Sequence, residues 1–92
     1  MNTNGSGPFS TKDGLRLLAS DYLLRMGASQ KHSQIRFFSP GRGTLTFPAE
    51  SSPLGTRTIE IYVSEIRNPG GKRVLVHGMV GGVKSSVIAI RD

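Results

Sequence analysis

The segment RTIEIYVSEI (Arg57–Ile66) sets Ile59, Ile61 and Val63 on alternate positions, with Glu60, Tyr62, Ser64 and Ile66 in the opposite phase. A period of two is the mark of an extended strand with two unlike faces, because successive side chains leave a strand on opposite sides. The residues that follow narrow the possibilities. NPGGK (Asn68–Lys72) is rich in turn formers, and RVLVHGMV (Arg73–Val80) is apolar on both faces, as a central strand is. Gly81-Gly82 suits a tight hairpin turn, and VKSSVIAI (Val83–Ile90) reads as the returning strand. Strands joined this closely suit one antiparallel sheet, since a parallel pair needs a long crossover, while which strands are neighbours stays open.

Upstream, Ile35–Phe38 and Thr44–Phe47 read as further strands joined by Ser39–Gly43. Pro48 and Pro53 break the pattern, so PAESSPLGT (Pro48–Thr56) is expected to be a loop. Ahead of the strands lies a helix, about Thr11 to Met26. Ser10 is placed as its N-cap, Asp13 completes a capping box, and Gly27 is placed to end it. Gly14 weakens the first turn by about 1 kcal/mol relative to Ala. At 100° per residue, Leu15, Leu18, Ala19, Tyr22 and Met26 share one face, while Leu17 and Leu24 fall nearly opposite. Leu17 and Leu24 are either covered by the N-terminal segment through Phe9 or left as a partner surface. The expected fold class is α+β, with one N-terminal helix packed on an antiparallel sheet of about five strands. Residues 10–92 form the domain, behind a flexible arm over 1–9.

One helix covers one face of such a sheet. The other face would carry Tyr62, Ile66, Leu75, Met79, Ile88 and Ile90, or the odd-numbered set if the phase is reversed. Neither set suits full exposure, so the sheet curls on itself or docks on a partner, a second copy included.

Charge sets the class of partner. Twelve Lys and Arg against six Asp and Glu give a net charge of +6. No acid lies between Asp21 and Glu50, where Arg25, Lys31, Arg36 and Arg42 fall. None lies between Glu65 and Asp92, where Arg67, Lys72, Arg73, Lys84 and Arg91 fall. Such a field attracts polyanions. The apolar fraction of 36% is that of a globular chain. No apolar run approaches the roughly 20 residues of a membrane-spanning helix. MNTNGSGPFS lacks the basic and apolar regions of a secretory signal, and the absence of cysteine fits a reducing cytoplasm.

The residues argue against an enzyme. His32 lies in a polar loop and His77 alternates with Leu75 and Met79 along a strand, far from it in sequence. No HExxH, CxxC or clustered His and carboxylate pattern points to a metal, and no serine stands in GxSxG. GRGT (Gly41–Thr44) lacks the spacing and lysine of a phosphate-binding loop. GMVGG (Gly78–Gly82) precedes a strand rather than a helix, which argues against a dinucleotide site. No cofactor, metal or small-molecule substrate is expected. Nucleic acid is a better fit, because basic residues lie near Phe37, Phe38 and Phe47, and single strands are held by stacking and cations together. Adjacent Phe37 and Phe38 point to opposite faces, so one is free to act while the other enters the core.

PFSTKDGLRLLASDYLLRMGA, FFSPGRGTLTFPAESSPLGTR and KRVLVHGMVGGVKSSVIAI together span nearly the whole chain. In length and run of sequence they resemble a bacteriophage anti-CRISPR protein directed against the type I-F (Csy) surveillance complex. The resemblance implies a non-enzymatic inhibitor in the host bacterial cytoplasm. It implies binding to Cas subunits and the guide-RNA backbone, which blocks target DNA hybridisation. Acidic inhibitors of this kind mimic DNA; a charge of +6 argues against mimicry and for contact with RNA phosphate or acidic protein. From the charge reading alone, the candidate partner- and RNA-binding residues are Arg25, Lys31, Arg36, Arg42, Lys72 and Arg73. The competing reading is a small basic stand-alone nucleic-acid-binding module, monomeric or dimeric.

Overall fold

The structure, a computed structural model, describes residues 9–48 and 55–90. The N-terminal arm up to residue 8 and most of the loop expected after Pro48 lie outside the described residues. Helix α1 spans Thr11–Met26. It begins where the sequence places it. The Ser10 hydroxyl accepts a hydrogen bond from the Asp13 amide at 3.1 Å, and the Asp13 carboxylate accepts one from the Ser10 amide at 3.4 Å. Both otherwise unpaired donors are satisfied by this reciprocal box. At the other end Gly27 adopts the left-handed conformation, and the Gly27 and Ala28 amides donate to the Leu24 and Leu23 carbonyls, the bonds of a Schellman cap.

The remainder is one antiparallel meander: β1 (Gln34–Ser39), β2 (Arg42–Pro48), β3 (Thr56–Gly70), β4 (Arg73–Val80) and β5 (Val83–Ile90), in the spatial order of the sequence. The turn NPGGK is shorter than expected, because β3 runs on to Gly70 and only Gly71 and Lys72 turn. Gly81 and Gly82 carry φ of 59° and 83°, the left-handed pair that a two-residue hairpin turn needs. Strand β3 is the spine. Its first half, Thr56–Tyr62, pairs with β2, and its second half, Ile61–Gly70, pairs with β4. The two hairpins are therefore offset along it.

Helix α1 lies on one face of the sheet. Leu15, Leu18, Ala19 and Leu23 meet Leu45, Phe47, Ile61, Val74, Val76 and Val80, all buried. Burying an aliphatic side chain of this size stabilises by about 1.5–3 kcal/mol, before the ordering cost is subtracted. The helix can approach this closely because of Gly14: a Cβ there would sit 3.0 Å from Val63 Cγ2 and 3.3 Å from Val76 Cγ1. The residue that weakens the helix by propensity is the one that seats it.

Two expectations are corrected. Ile66 does not lie on the open face. Between Val63 and Glu65 the register with β4 slips, Ser64 being the extra residue, and Ile66 pairs with buried Val76. The bulge reverses the phase of the strand, so Val63 and Ile66 both pack on the helix side. Met26 is not a core residue, although it projects onto the middle of the apolar face. It is 45% exposed. Leu23, at the margin of that face, is buried instead. Of the opposite pair, Leu17 packs against the core cluster, as does Phe9, while Leu24 stays 70% exposed.

Candidate nucleic-acid interface

The face of the sheet away from α1 follows from the register. Residues paired across an antiparallel ladder share a face. Since Ile61 and Val80 are buried, the next pair, Tyr62 and Met79, points outward. Extending this pair across the strands gives a row, Arg42–Tyr62–Met79–Lys84, over β2, β3, β4 and β5. On one side of it lies Arg36–Thr44–Glu60. On the other lie Glu65–His77–Ser86, then Arg67–Leu75–Ile88, then Arg73–Ile90. The uncovered face therefore carries Arg36, Arg42, Arg67, Arg73 and Lys84 against Glu60 and Glu65. Arg67 and Glu65 pair with each other at 3.3 Å. Among the described residues, Arg36, Arg42, Arg73 and Lys84 have no carboxylate within 4.0 Å.

Aromatic rings stand among these cations. Phe37 faces the helix layer, where Lys12 Nζ and the Arg16 guanidinium each lie 5.2 Å from its ring centre. Phe38 sits at the β1–β2 register slip and is 65% exposed. Of the adjacent pair, Phe38 is the one left free. It shares a narrow slot with Arg42, Glu60 and Tyr62, floored by Gly43 and Ile61. Tyr62 is 39% exposed. A wider open concavity of about 350 Å³ adjoins it, lined by Tyr62, Ser64, His77, Met79, Lys84 and Ser86 among others. There His77 Nδ1 is 2.9 Å from the Ser86 hydroxyl, and the Ser64 hydroxyl donates to the His77 carbonyl at 3.0 Å. The first of these bonds ties the imidazole to β5, and the second ties the β4 backbone to β3. Beyond the concavity, Ile88 and Ile90 stand 59% and 66% exposed beside Leu75, an apolar end to the same face.

The six candidate cations do not form one patch. Arg36 and Arg42 are brought together on the uncovered face, on neighbouring strands. Arg73 lies on that face at its far end, and Lys72 in the turn just before it. Arg25 belongs to the helix layer, on the other side of the sheet, and its Nε is held 3.0 Å from Asp21. Lys31 is exposed in the connection after the helix. Lys84 falls in the second acid-free stretch but not in the candidate set, and the register sets it in line with Arg42. Its signal was present: Lys84 alternates in phase with Ile88 and Ile90 along β5.

Chemically, the face offers donors for phosphate, rings for stacking and an apolar flank. Among the described residues there is no group of three His, Cys, Asp or Glu that could hold a metal ion. Among the described residues, no helix is long and apolar enough to cross a membrane. No family model matches the chain, and no curated protein or solved structure is significantly similar to it.

Proposed function

We propose that this chain is a non-enzymatic inhibitor that docks on the type I-F CRISPR-Cas surveillance complex in the host cytoplasm, meets Cas subunits and the guide-RNA backbone, and blocks target DNA hybridisation. The partner comes from the resemblance of the sequence. The observation that carries a polyanionic partner is the row Arg42–Tyr62–Met79–Lys84, where, among the described residues, two cations without an ion partner flank an exposed ring on a sheet face that no element covers. Arginine binds phosphate through two parallel N–H donors, which favours Arg36 and Arg42 as RNA contacts. Leu75, Ile88 and Ile90 supply apolar surface for a protein subunit. Of the described acids, Asp13, Asp21 and Glu65 are each held in an ion pair with a neighbouring arginine, which leaves Glu60 without a paired second carboxylate for acid-base work.

The test is retention on purified type I-F complex. The expected result is tight retention, together with loss of target DNA binding by the loaded complex; a complex that retains nothing overturns the reading. One observation favours the second reading, a stand-alone nucleic-acid module: the exposure of Phe38 and Tyr62 on one face is the arrangement of a single-strand stacking platform. Such a module shifts free RNA or DNA in a gel as tightly as it binds any assembled complex.

A further inference from the structure

Glu60 is out of keeping with a surface that only meets phosphate. It points to the same side as Arg36, Arg42 and Tyr62, yet neither arginine comes within 4.0 Å of it. An isolated carboxylate repels phosphate, so it weakens the contact that its neighbours favour. It also lines the slot that Phe38, Tyr62 and Arg42 share. The gap is about 30 Å³, room for a water and not for a base, so a base could meet these side chains only over its mouth. Two rings, one cation and one free carboxylate are what a stacked base with a hydrogen-bonding edge requires.

An ionised carboxylate only accepts hydrogen bonds, and it accepts two side by side. Among the RNA bases, guanine alone presents two adjacent donors on its Watson–Crick edge, the N1–H and the exocyclic amine. Adenine and cytosine offer an amine beside an acceptor nitrogen, and uracil an N–H between two carbonyls. We propose that Phe38, Tyr62, Arg42 and Glu60 form a slot for an unpaired guanine of single-stranded RNA. The base stacks on the rings, its donor edge faces Glu60, and a flanking phosphate meets Arg42. This assignment rests on the RNA-contacting reading above and names the nucleotide that the same face selects.

The experiment measures fluorescence anisotropy with a short labelled oligouridylate and with the same strand carrying one central guanine. The guanine strand is expected to bind about tenfold tighter, the discrimination of a good bidentate contact. Glu60→Gln should bring the two strands to the same affinity. Phe38→Ala and Tyr62→Ala should each weaken the guanine strand by at least about fivefold. Both rings are exposed, and circular dichroism checks that these variants fold. Equal affinity of the parent protein for the two strands, no binding to either, or a preference that survives Glu60→Gln overturns the slot. Retention on the surveillance complex is measured in parallel. A protein retained there without guanine preference loses the slot alone; one that prefers guanine without being retained loses the proposed partner alone.

Discussion

Gly78 shows how much one residue can decide. It faces inward on β4, opposite Val63, and a Cβ there would fall on the Tyr62 carbonyl and lie 2.7 Å from Leu18 Cδ1. Backbone cannot yield as a flexible side chain does. Gly78→Ala is therefore expected to lower stability by about 2 kcal/mol, read as a fall in the urea midpoint at unchanged slope. Gly14→Ala is expected to cost less, because two valine methyl groups at 3.0 and 3.3 Å can shift and the helix gains propensity. Sequence alone gave Gly14 only its propensity penalty. Its use is tertiary, since Val63 and Val76 approach it from strands roughly 50 and 60 residues away in the chain. The adjacent phenylalanines divide in the same way. That one would face each side of the sheet was legible from their adjacency; which one did so depended on where the helix lay.

At the scale of elements, the helix was legible almost to the residue because its boundaries are local chemistry. Ser10 and Asp13 satisfy each other's amides within four residues, and Gly27 takes the left-handed turn within the cap itself. Ser10→Ala removes one of these bonds and is expected to cost about 1 kcal/mol, measured by thermal unfolding. The phase of β3 was not legible past Ser64. The alternation of RTIEIYVSEI slips at that point, with Glu65 in the phase of Ile59, Ile61 and Val63 and Ile66 in the other, but one strand read alone does not tell a bulge from an exposed isoleucine. What selects the bulge is the helix face: Val63 and Ile66 are both drawn under Gly14. Deleting Ser64 removes the extra residue and leaves Val63 and Ile66 on the helix side and Glu65 on the open face, so the expected loss in chemical unfolding is below about 1 kcal/mol; a larger loss would show that the bulge itself is needed to seat the helix.

Across the whole molecule, charge and topology act together. A meander pairs each strand with its sequence neighbour, so it brings Arg42 and Lys84, far apart in the chain, onto one row through the long spine of β3. With Arg36, Arg42 and Lys84 as phosphate contacts, the affinity for single-stranded RNA should fall with salt at a log–log slope of about −2. Arg42→Ala should reduce that slope by about 0.7, and Arg25→Ala should leave it unchanged, since Arg25 lies across the sheet and is paired with Asp21. A slope that responds equally to both would place the binding in the general positive field and not on the uncovered face. The sequence by itself determined the helix, the strands, the antiparallel class of the sheet and the basic field, because caps, turns, periodicity and charge act over a few residues or simply add along the chain, while the order of the strands came from the structure. The tertiary structure decided which face stays open, that Ile66 leaves it, and that Phe38, Arg42, Glu60 and Tyr62 share a slot on it. Those outcomes depend on packing between segments distant in sequence, and one shifted residue in a strand reverses every side chain beyond it.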